Sequence, residues 1–271
     1  MVGVKKNRWL PTLIIVATML FFYLPIIVMM VFSFNDSRSL TVWQGFSLRW
    51  YETLFKDREM MAAIKTTVTI ALIATLVSTF IGTITAIGLS RSKKVIRDIV
   101  LTVNDLPILN PEIVTAIGMM LFFSTLAIPK GFITLLLAHI AFCIPYVILS
   151  VLPKLRSLDP NVAEAALDLG ATPWQTLTKV IVPQIWGSII AGALIAFTMS
   201  FDDFVISYFS TGNGVKNISI MVYTMTKRIN PTINALSTIM VGVITVVLLL
   251  VNVVPLLTNR NNKVKDIKEG Y

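Results

Sequence analysis

Four carboxylates stand in stretches of the sequence that otherwise carry no charge: Asp105, Glu112, Asp202 and Asp203. A carboxylate in the middle of a membrane-spanning helix costs about 2.5–3.5 kcal/mol even on a permissive insertion scale, so such residues are functional candidates. The same stretches contain no lysine or arginine that could neutralise these side chains. Unpaired carboxylates in apolar surroundings can bind a cation that carries its own apolar stem.

These polar residues also have plainer interpretations. Asp202 and Asp203 could end a membrane span at the interface, and because adjacent helical positions point about 100° apart, the two need not share a role. Asp105 is better explained by a helix break near the inner surface. We expect the single histidine, His139, to be a hydrogen-bonded packing residue and the single cysteine, Cys143, to be a small buried hydrophobe. One histidine and one cysteine predict no metal site and no intramolecular disulfide.

The composition places the chain in a membrane. Hydrophobic residues make up 55% of its 271 residues and charged residues 14%, and the mean hydropathy is +0.80. Soluble domains have about 25% charged residues, so most of this surface must contact lipid or other membrane protein. The net charge of +9 comes from short basic clusters between apolar runs, which is typical of membrane topology and argues against nucleic acid as a partner.

Six stretches are apolar and long enough to cross a bilayer, which takes about 20 helical residues: 9–35, 66–90, 99–126, 131–152, 184–210 and 235–257. We therefore expect an all-α protein that forms a single transmembrane domain over 1–271. Pro25 could kink the first span, which we expect to remain as an uncleaved anchor. Pro107 and Pro111 predict that the third span is broken.

Flanking charge predicts the orientation of the chain. Fourteen lysines and arginines flank the spans on one side and nine on the other, which places both termini in the cytoplasm. Counting helical rise from the start of each span, Glu112 would lie about 20 Å deep and Asp202 about 27 Å. Both carboxylates would then occupy the outer half of a hydrocarbon core about 30 Å thick.

The longest cytoplasmic connection, 153–183, begins with the signals of a short amphipathic helix. Asp159 can cap it, Pro160 suits its first position, and Gly170 can end it in the left-handed conformation. Its polar face carries acidic or amide side chains: Asn161, Glu164 and Asp168. A helix lying on the membrane is one interpretation, but anionic lipid would repel these carboxylates, so a protein partner fits better.

A second helix follows at once. Thr172 can cap it, Pro173 suits its first position, and Gln175 completes a capping box. We expect this helix to end at Pro183, since proline interrupts helical hydrogen bonding. The two short helices would be presented at a fixed angle on a rigid turn.

The spacing of residues in this loop resembles a known motif. Glu164-Ala165-Ala166, then Gly170, then Val180-x-Val182-Pro183 is similar to the EAA loop of permease subunits of bacterial binding-protein-dependent ABC importers, with valine at the two aliphatic positions. The resemblance implies a type I importer permease fold with six spans and cytoplasmic coupling helices. It assigns ATPase coupling to five residues: Glu164, Ala165, Ala166, Asp168 and Gly170.

The chain has no G-x4-G-K-[ST] phosphate-binding loop, and the glycines of 212–214 lack that spacing. We therefore expect a transport subunit that is not an enzyme and binds no cofactor. ATP and magnesium would be bound by a separate ATPase subunit.

Three further segments resemble spermidine/putrescine permease subunits of the same family: 43–51, 111–114 and 197–203. This resemblance implies that five residues line the polyamine path: Trp50, Glu112, Ser200, Asp202 and Asp203. Glu112 stands where the family is expected to have aspartate, which keeps the charge and lengthens the side chain. Trp50 and its neighbours could instead be aromatic residues at the membrane interface.

The resemblance also implies partners and a location. We expect a pair of ATPase subunits, a homologous second permease, an extracytoplasmic polyamine-binding protein and membrane lipid, in the bacterial inner membrane. Three alternatives remain open: a permease for another cationic or metal-bearing solute, a proton- or sodium-coupled secondary carrier in which the carboxylates relay protons, and a purely structural membrane subunit.

Overall fold

A computed structural model describes residues 9–39, 42–212, 214–225, 231–246 and 249. Within these ranges the regular structure is helical, apart from one isolated antiparallel bridge between Asn35 and Phe46. The chain forms two compact units, one of 1–58 with 225–271 and one of 59–224. The single transmembrane domain over 1–271 stays a prediction.

The first unit contains α1 (Trp9–Phe32) and α2 (Arg49–Lys56). Helix α1 continues without interruption through Pro25, and none of its side chains is buried by this chain. Its apolar residues are therefore available to lipid or to another membrane protein. The segment between the two helices is organised by the buried Asn35, which accepts a hydrogen bond from the Gln44 N–H and donates one to the Val42 carbonyl.

The second unit is built around three long helices: α3 (Arg58–Arg91), α6 (Phe132–Arg156) and α9 (Val182–Phe201). Helix α6 packs along α9, and Val147 of α6 lies close to a glycine of each neighbouring helix, Gly82 of α3 and Gly192 of α9. A Cβ at Gly82 would lie 2.8 Å from Val147, and one at Gly192 would lie 3.3 Å from its Cα. Small residues therefore allow α6 to approach both other helices closely, as is common in membrane proteins.

The third predicted span is broken, as its prolines indicated. It consists of α4 (Lys94–Leu109) and α5 (Glu112–Thr125), which are bent by 108° relative to each other. The depth predicted for Glu112 assumed one straight helix, so that estimate is wrong: helical rise does not accumulate along one axis through such a bend.

The long connection contains α7 (Asn161–Asp168) and α8 (Pro173–Gln175), and the predicted turn between them is confirmed. Gly170 has a φ of +87°, and the bonds from the Gly170 and Ala171 N–H groups to Leu167 and Ala166 form a Schellman motif. The capping box of Thr172 and Gln175 is present in both directions.

The predicted end of the second loop helix at Pro183 is wrong. Helix α8 passes through a π-helical segment (Thr176–Ile181) into α9, so that 173–201 is one helical run of 29 residues. In the π segment, the Val182 N–H bonds the Leu177 carbonyl five residues back. The widened turn accommodates Pro183, whose ring would otherwise clash with the carbonyl four residues earlier.

The predicted fifth span, 184–210, is also interrupted. Helix α9 ends at Phe201, and α10 (Val205–Ser210) begins after three residues; α11 (Ile218–Met225) follows. Among the residues that the structure describes, four helices are long and apolar enough to cross a membrane, or five if the bent pair counts as one span. A shorter apolar helix, Thr232–Val246, covers the start of the predicted sixth span, 235–257, most of whose remainder lies outside the described residues. The count of six stays a prediction.

Candidate functional site

The two helix breaks bring the candidate carboxylates together. Pro111 lacks an N–H and holds the preceding Asn110 in an extended conformation, with a ψ of 149°, so α4 stops and α5 starts afresh at Glu112. Helix α10 packs against both α5 and α6. As a result, the Glu112 carboxyl lies near the carboxylates of Asp203 and Asp202.

Asp203 is buried, with only 5% of its surface exposed, and its carboxylate is fully engaged. One oxygen accepts the Ile206 N–H at 3.2 Å, and the other accepts the N–H and the hydroxyl of Ser207 at 2.7 and 2.8 Å. Asp203 thus caps the first turn of α10 and satisfies amides that the helix itself leaves without partners. The expectation of an unpaired carboxylate is wrong for this residue.

His139 connects this carboxylate to α6 and α9. The imidazole is buried, with Nδ1 2.7 Å from the Ser200 hydroxyl and Nε2 2.9 Å from the Ser207 hydroxyl and 3.4 Å from Asp203. The expectation that His139 is a hydrogen-bonded packing residue is therefore confirmed. Cys143, one turn along α6, is buried as expected and donates to the Ala196 carbonyl.

The surrounding donors assign the proton on His139. The Ser207 hydroxyl gives its one proton to Asp203 and accepts from Asn217 Nδ2 at 2.7 Å. Its other lone pair can only accept, so Nε2 of His139 carries a proton and donates it. Nδ1 pairs with the Ser200 hydroxyl, so every side chain of this network has a partner.

Asn217 extends the network to α11. Its amide nitrogen also donates to the Asp203 carbonyl at 3.3 Å, and its side-chain oxygen accepts the Ile220 N–H at the start of α11. The backbone carbonyl of Asp202 in turn accepts from the Ser219 hydroxyl. Four helices, α6, α9, α10 and α11, are therefore fixed around the break at 202–204 by buried hydrogen bonds.

Glu112 and Asp202 differ from Asp203 because both are exposed in this chain. Among the described residues, neither makes an ion pair with a lysine or arginine. The hydroxyl of the half-buried Tyr146 on α6 lies close enough to Glu112 to experience its charge. These two carboxylates are thus available to a cation, whereas Asp203 is occupied by the protein itself.

Aromatic rings border the same break. Phe204, Tyr208 and Tyr223 form a mutual cluster, with ring centroids 4.8–6.1 Å apart, and about half of each tyrosine is exposed. Aromatic faces attract ammonium groups and cover apolar stems. The sequence analysis did not identify this cluster, although the spacing of Phe204 and Tyr208 by four residues is the usual signal for rings on one helix face.

Two other predicted path residues are buried, and their place on a path stays a prediction. Ser200 is buried and bonds His139, so its hydroxyl is not available to a passing molecule. Trp50 is 5% exposed in the first unit, and its indole N–H donates to the Asn35 carbonyl at 2.7 Å. The indole N–H of Trp50 is therefore bonded within the first unit. Among the described residues, no group of three metal-ligating side chains occurs.

The predicted coupling residues are on an exposed loop. Glu164, Ala165, Asp168 and Gly170 are exposed, and Ala166 is half-buried. Two large apolar side chains flank the turn without cover from this chain, Leu169 at 90% exposure and Trp174 at 71%. Exposed apolar side chains of this size on a rigid turn are typical of a surface that contacts another protein.

Comparison with known proteins defines the class. Residues 78–261 match the family described as binding-protein-dependent transport system inner membrane component. The structure is similar to the crystal structure of a bacterial ABC transporter involved in the import of the acidic polysaccharide alginate. That match has a TM-score of 0.71 and 15% identity, and covers 94% of this chain and 98% of the other. At that identity the similarity shows the fold alone, that of an ABC importer permease.

Curated relatives agree. The chain is 37% identical over 238 residues to the putrescine transport system permease protein PotI of Escherichia coli K12, covering 84% of each chain. It is also 37% identical over 243 residues to the spermidine/putrescine transport system permease protein PotC of Haemophilus influenzae, covering 89% of this chain and 93% of the relative. The chain belongs to the family of binding-protein-dependent transport system inner membrane components, and it is a multi-pass membrane protein.

The different environments of the two neighbouring aspartates generate a prediction about stability. Asp203→Asn should lower the melting temperature of the detergent-solubilised protein by about 4–8 °C, because either orientation of the new amide turns an NH2 towards a backbone N–H. The lost charge-assisted bond is worth about 1.5–3 kcal/mol. Asp202→Asn is the matched control and should change the melting temperature little, since that side chain is exposed. Equal melting temperatures for the two variants would contradict the capping role.

Proposed function

We propose that this chain is the permease subunit that forms the membrane path for polyamines such as spermidine and putrescine in an ATP-driven importer. The proposal rests on two exposed carboxylates, Glu112 and Asp202, which lie near each other at two helix breaks. Among the described residues, neither has a basic partner. The names of its relatives support the same substrate class.

The chemistry of the site suits a polyamine better than a bare ion. Two separate carboxylates can each accept an ammonium group, and the rings of Phe204, Tyr208 and Tyr223 can cover the methylene stem between them. A metal ion would instead need three or more converging ligands, and the described residues offer no such group. Asp203 and Ser200 act indirectly, by stabilising the helix break between α9 and α10.

The loop between α6 and α9 supports an ATPase as the energy source. Its turn is rigid and exposed, and its acidic face disfavours contact with anionic lipid. The sequence has no phosphate-binding loop of its own, so we propose that this chain is not an enzyme and binds no cofactor, and that ATP and magnesium belong to a pair of partner ATPases.

Two further partners follow from the same class. No side chain of α1 is buried among the described residues, which supports pairing with a homologous second permease. A structural neighbour, a bacterial alginate ABC transporter, was crystallised with its periplasmic protein, and it has a TM-score of 0.65 at 18% identity. We propose that an extracytoplasmic polyamine-binding protein delivers the substrate here. Binding of ATP would close the ATPases, move the loop and open the outer side of the path.

The uptake rate tests the carboxylate path. Asp202→Asn and Glu112→Gln should each reduce initial polyamine uptake by about 10- to 150-fold. Each removes a charge-assisted contact of about 1.5–3 kcal/mol, at about 1.4 kcal/mol per tenfold change. Asp202→Glu should cost less because it keeps the charge. Asp98→Asn, at an exposed carboxylate on α4, is the control at matched membrane expression and should transport normally.

Near-normal uptake by both neutralised variants would mean that these carboxylates only mark the ends of helices, and it would reject the proposal. The same assay separates the alternatives. Uptake that depends on the proton or sodium gradient and persists without ATP would identify a secondary carrier. Uptake of a different cation, with no polyamine transport, would identify that cation as the substrate.

The loop turn gives a prediction about coupling. Gly170→Val should leave the subunit in the membrane but reduce transport and co-purification of the ATPase, because a β-branched side chain disfavours the φ of +87° that sets the angle between α7 and α8. Gly187→Val is a control on α9, where an added Cβ would meet nothing within 4 Å and φ is not positive. Full transport and normal ATPase recovery with Gly170→Val would contradict the role of the turn.

We also propose that the chain lies in the bacterial inner membrane with both termini in the cytoplasm; the termini themselves lie outside the described residues. In a Cys143→Ala background, an impermeant thiol reagent should label Glu52→Cys from outside and Asn161→Cys only after the cells are permeabilised. Both positions are exposed, so access decides the result. Labelling of position 161 in intact cells would reverse the orientation and remove the ATPase argument.

A further inference from the structure

A pocket of about 360 Å³ opens where the ends of α3 and α6 meet α7, separate from the carboxylate site. Its floor is apolar and includes Ile87, Leu155 and Ile181, while Leu158 and Ala163 contribute from the loop side. This volume falls at the lower end of the range of about 300–1,000 Å³ found for small-ligand sites.

The polar side of the pocket is basic. Arg91, at the last position of α3, and Arg156, at the last position of α6, both line it, together with Ser90. Among the described residues, neither guanidinium has a hydrogen-bond or ion-pair partner. Two guanidinium groups beside one cavity repel each other, and an anionic ligand would relieve that repulsion.

One carboxylate also lines the pocket, that of Asp159. Its Oδ1 accepts the Asn161 N–H at 2.9 Å at the start of α7, and its one negative charge against the two arginines leaves the pocket with a net positive charge. Ser90 directs its hydroxyl to the Ile87 carbonyl at 2.7 Å and retains its lone pairs.

The combination of a paired basic rim and an apolar floor matches one class of ligand. Arginine recognises phosphate through two parallel hydrogen bonds, and basic pockets at the cytoplasmic ends of membrane helices bind phospholipid head groups. We infer that this pocket binds the phosphate of an anionic phospholipid of the inner leaflet, with Arg91 and Arg156 on the phosphate and an acyl chain along the floor.

The position of the pocket gives the ligand a consequence. Pro160 and Ala163 belong to the start of the exposed loop, and Ile181 belongs to the π segment that leads into α9. A lipid seated there would contact the ends of α3 and α6, the π segment, and α7 on the side of Ala163; the acidic side chains of Glu164 and Asp168 do not line the pocket. It would therefore stabilise the loop in the orientation seen here. This inference requires the cytoplasmic placement of the loop but does not depend on which solute is transported.

The test uses the transporter purified in neutral detergent with the subunits that accompany it. Phosphatidylglycerol should raise its melting temperature more than phosphatidylcholine does, and native mass spectrometry should show retained anionic lipid. In Arg91→Gln/Arg156→Gln, the lipid concentration for half-maximal stabilisation should rise at least about 10-fold, since two charge-assisted contacts are lost. Lys94→Gln/Lys179→Gln, exposed basic residues at the same end that do not line the pocket, should respond like the wild type.

Inorganic phosphate serves as the third ligand and distinguishes the two sources of the phosphate. Stabilisation by phosphate that equals that by phosphatidylglycerol and is lost in the arginine variant would make a free anion the ligand and reject the lipid. An unchanged lipid response in the arginine variant would overturn the inference altogether. Loss of the ATPase from the purified arginine variant, with no change in lipid response, would show that the pocket holds an acidic side chain of that partner instead.

Discussion

The hydrogen bonds to the buried carboxylate of Asp203 are the interaction on which this region depends. A chain that leaves one helix and starts another inside a protein exposes first-turn amides, each of which costs about 1–3 kcal/mol if it is buried without a partner. Asp203 accepts hydrogen bonds from the backbone N–H groups of Ile206 and Ser207 and so stabilises the break between α9 and α10. His139 and Asn217 then fix the Ser207 hydroxyl that completes this set of bonds.

The helix break gives different roles to Asp202 and Asp203, which are adjacent and chemically identical. Had α9 continued, Asp202 and Asp203 would have pointed in directions about 100° apart on one helix. Because the helix ends at Phe201, Asp203 turns inwards and Asp202 stays exposed near Glu112. The carboxylate of Asp203 stabilises the helix break, whereas that of Asp202 remains available for a cation. Their roles follow from environment and not from residue type.

The sequence allowed good prediction wherever the information is local. The Schellman turn at Gly170 and the capping box at Thr172 depend on residues within a few positions of each other, and both are present. The break near Pro111 was equally predictable, since proline acts on its immediate neighbours. Pro183 was misread because its cost is absorbed by a π segment, which has no simple sequence signal.

The site itself was only partly predictable, for a related reason. The clustering of Glu112 with the two aspartates was expected from their cost in an apolar setting. The partners of Asp203 were not expected, because His139 lies 61 and 68 residues from Ser200 and Ser207. No periodicity within one helix reports a contact of that separation. Trp50 and Ser200 were placed on the path by resemblance; both are buried in this structure, and their role on the path stays a prediction.

The uninterrupted helical run from Pro173 to Phe201 joins the exposed loop to the carboxylates. At about 1.5 Å per residue, its 29 residues reach roughly 40 Å, with the capping box of Thr172 at one end and Asp202 at the other. A helix transmits displacement along its axis because its hydrogen bonds resist stretching, so a push on α8 would move Asp202 unless the run yields somewhere. The π segment is the irregular part of this run, since its hydrogen bonds join residues five apart instead of four, and such segments are frequent at functional sites. Ile181 of this segment also lines the basic pocket, so a ligand bound there would contact the helical run at its irregular turn.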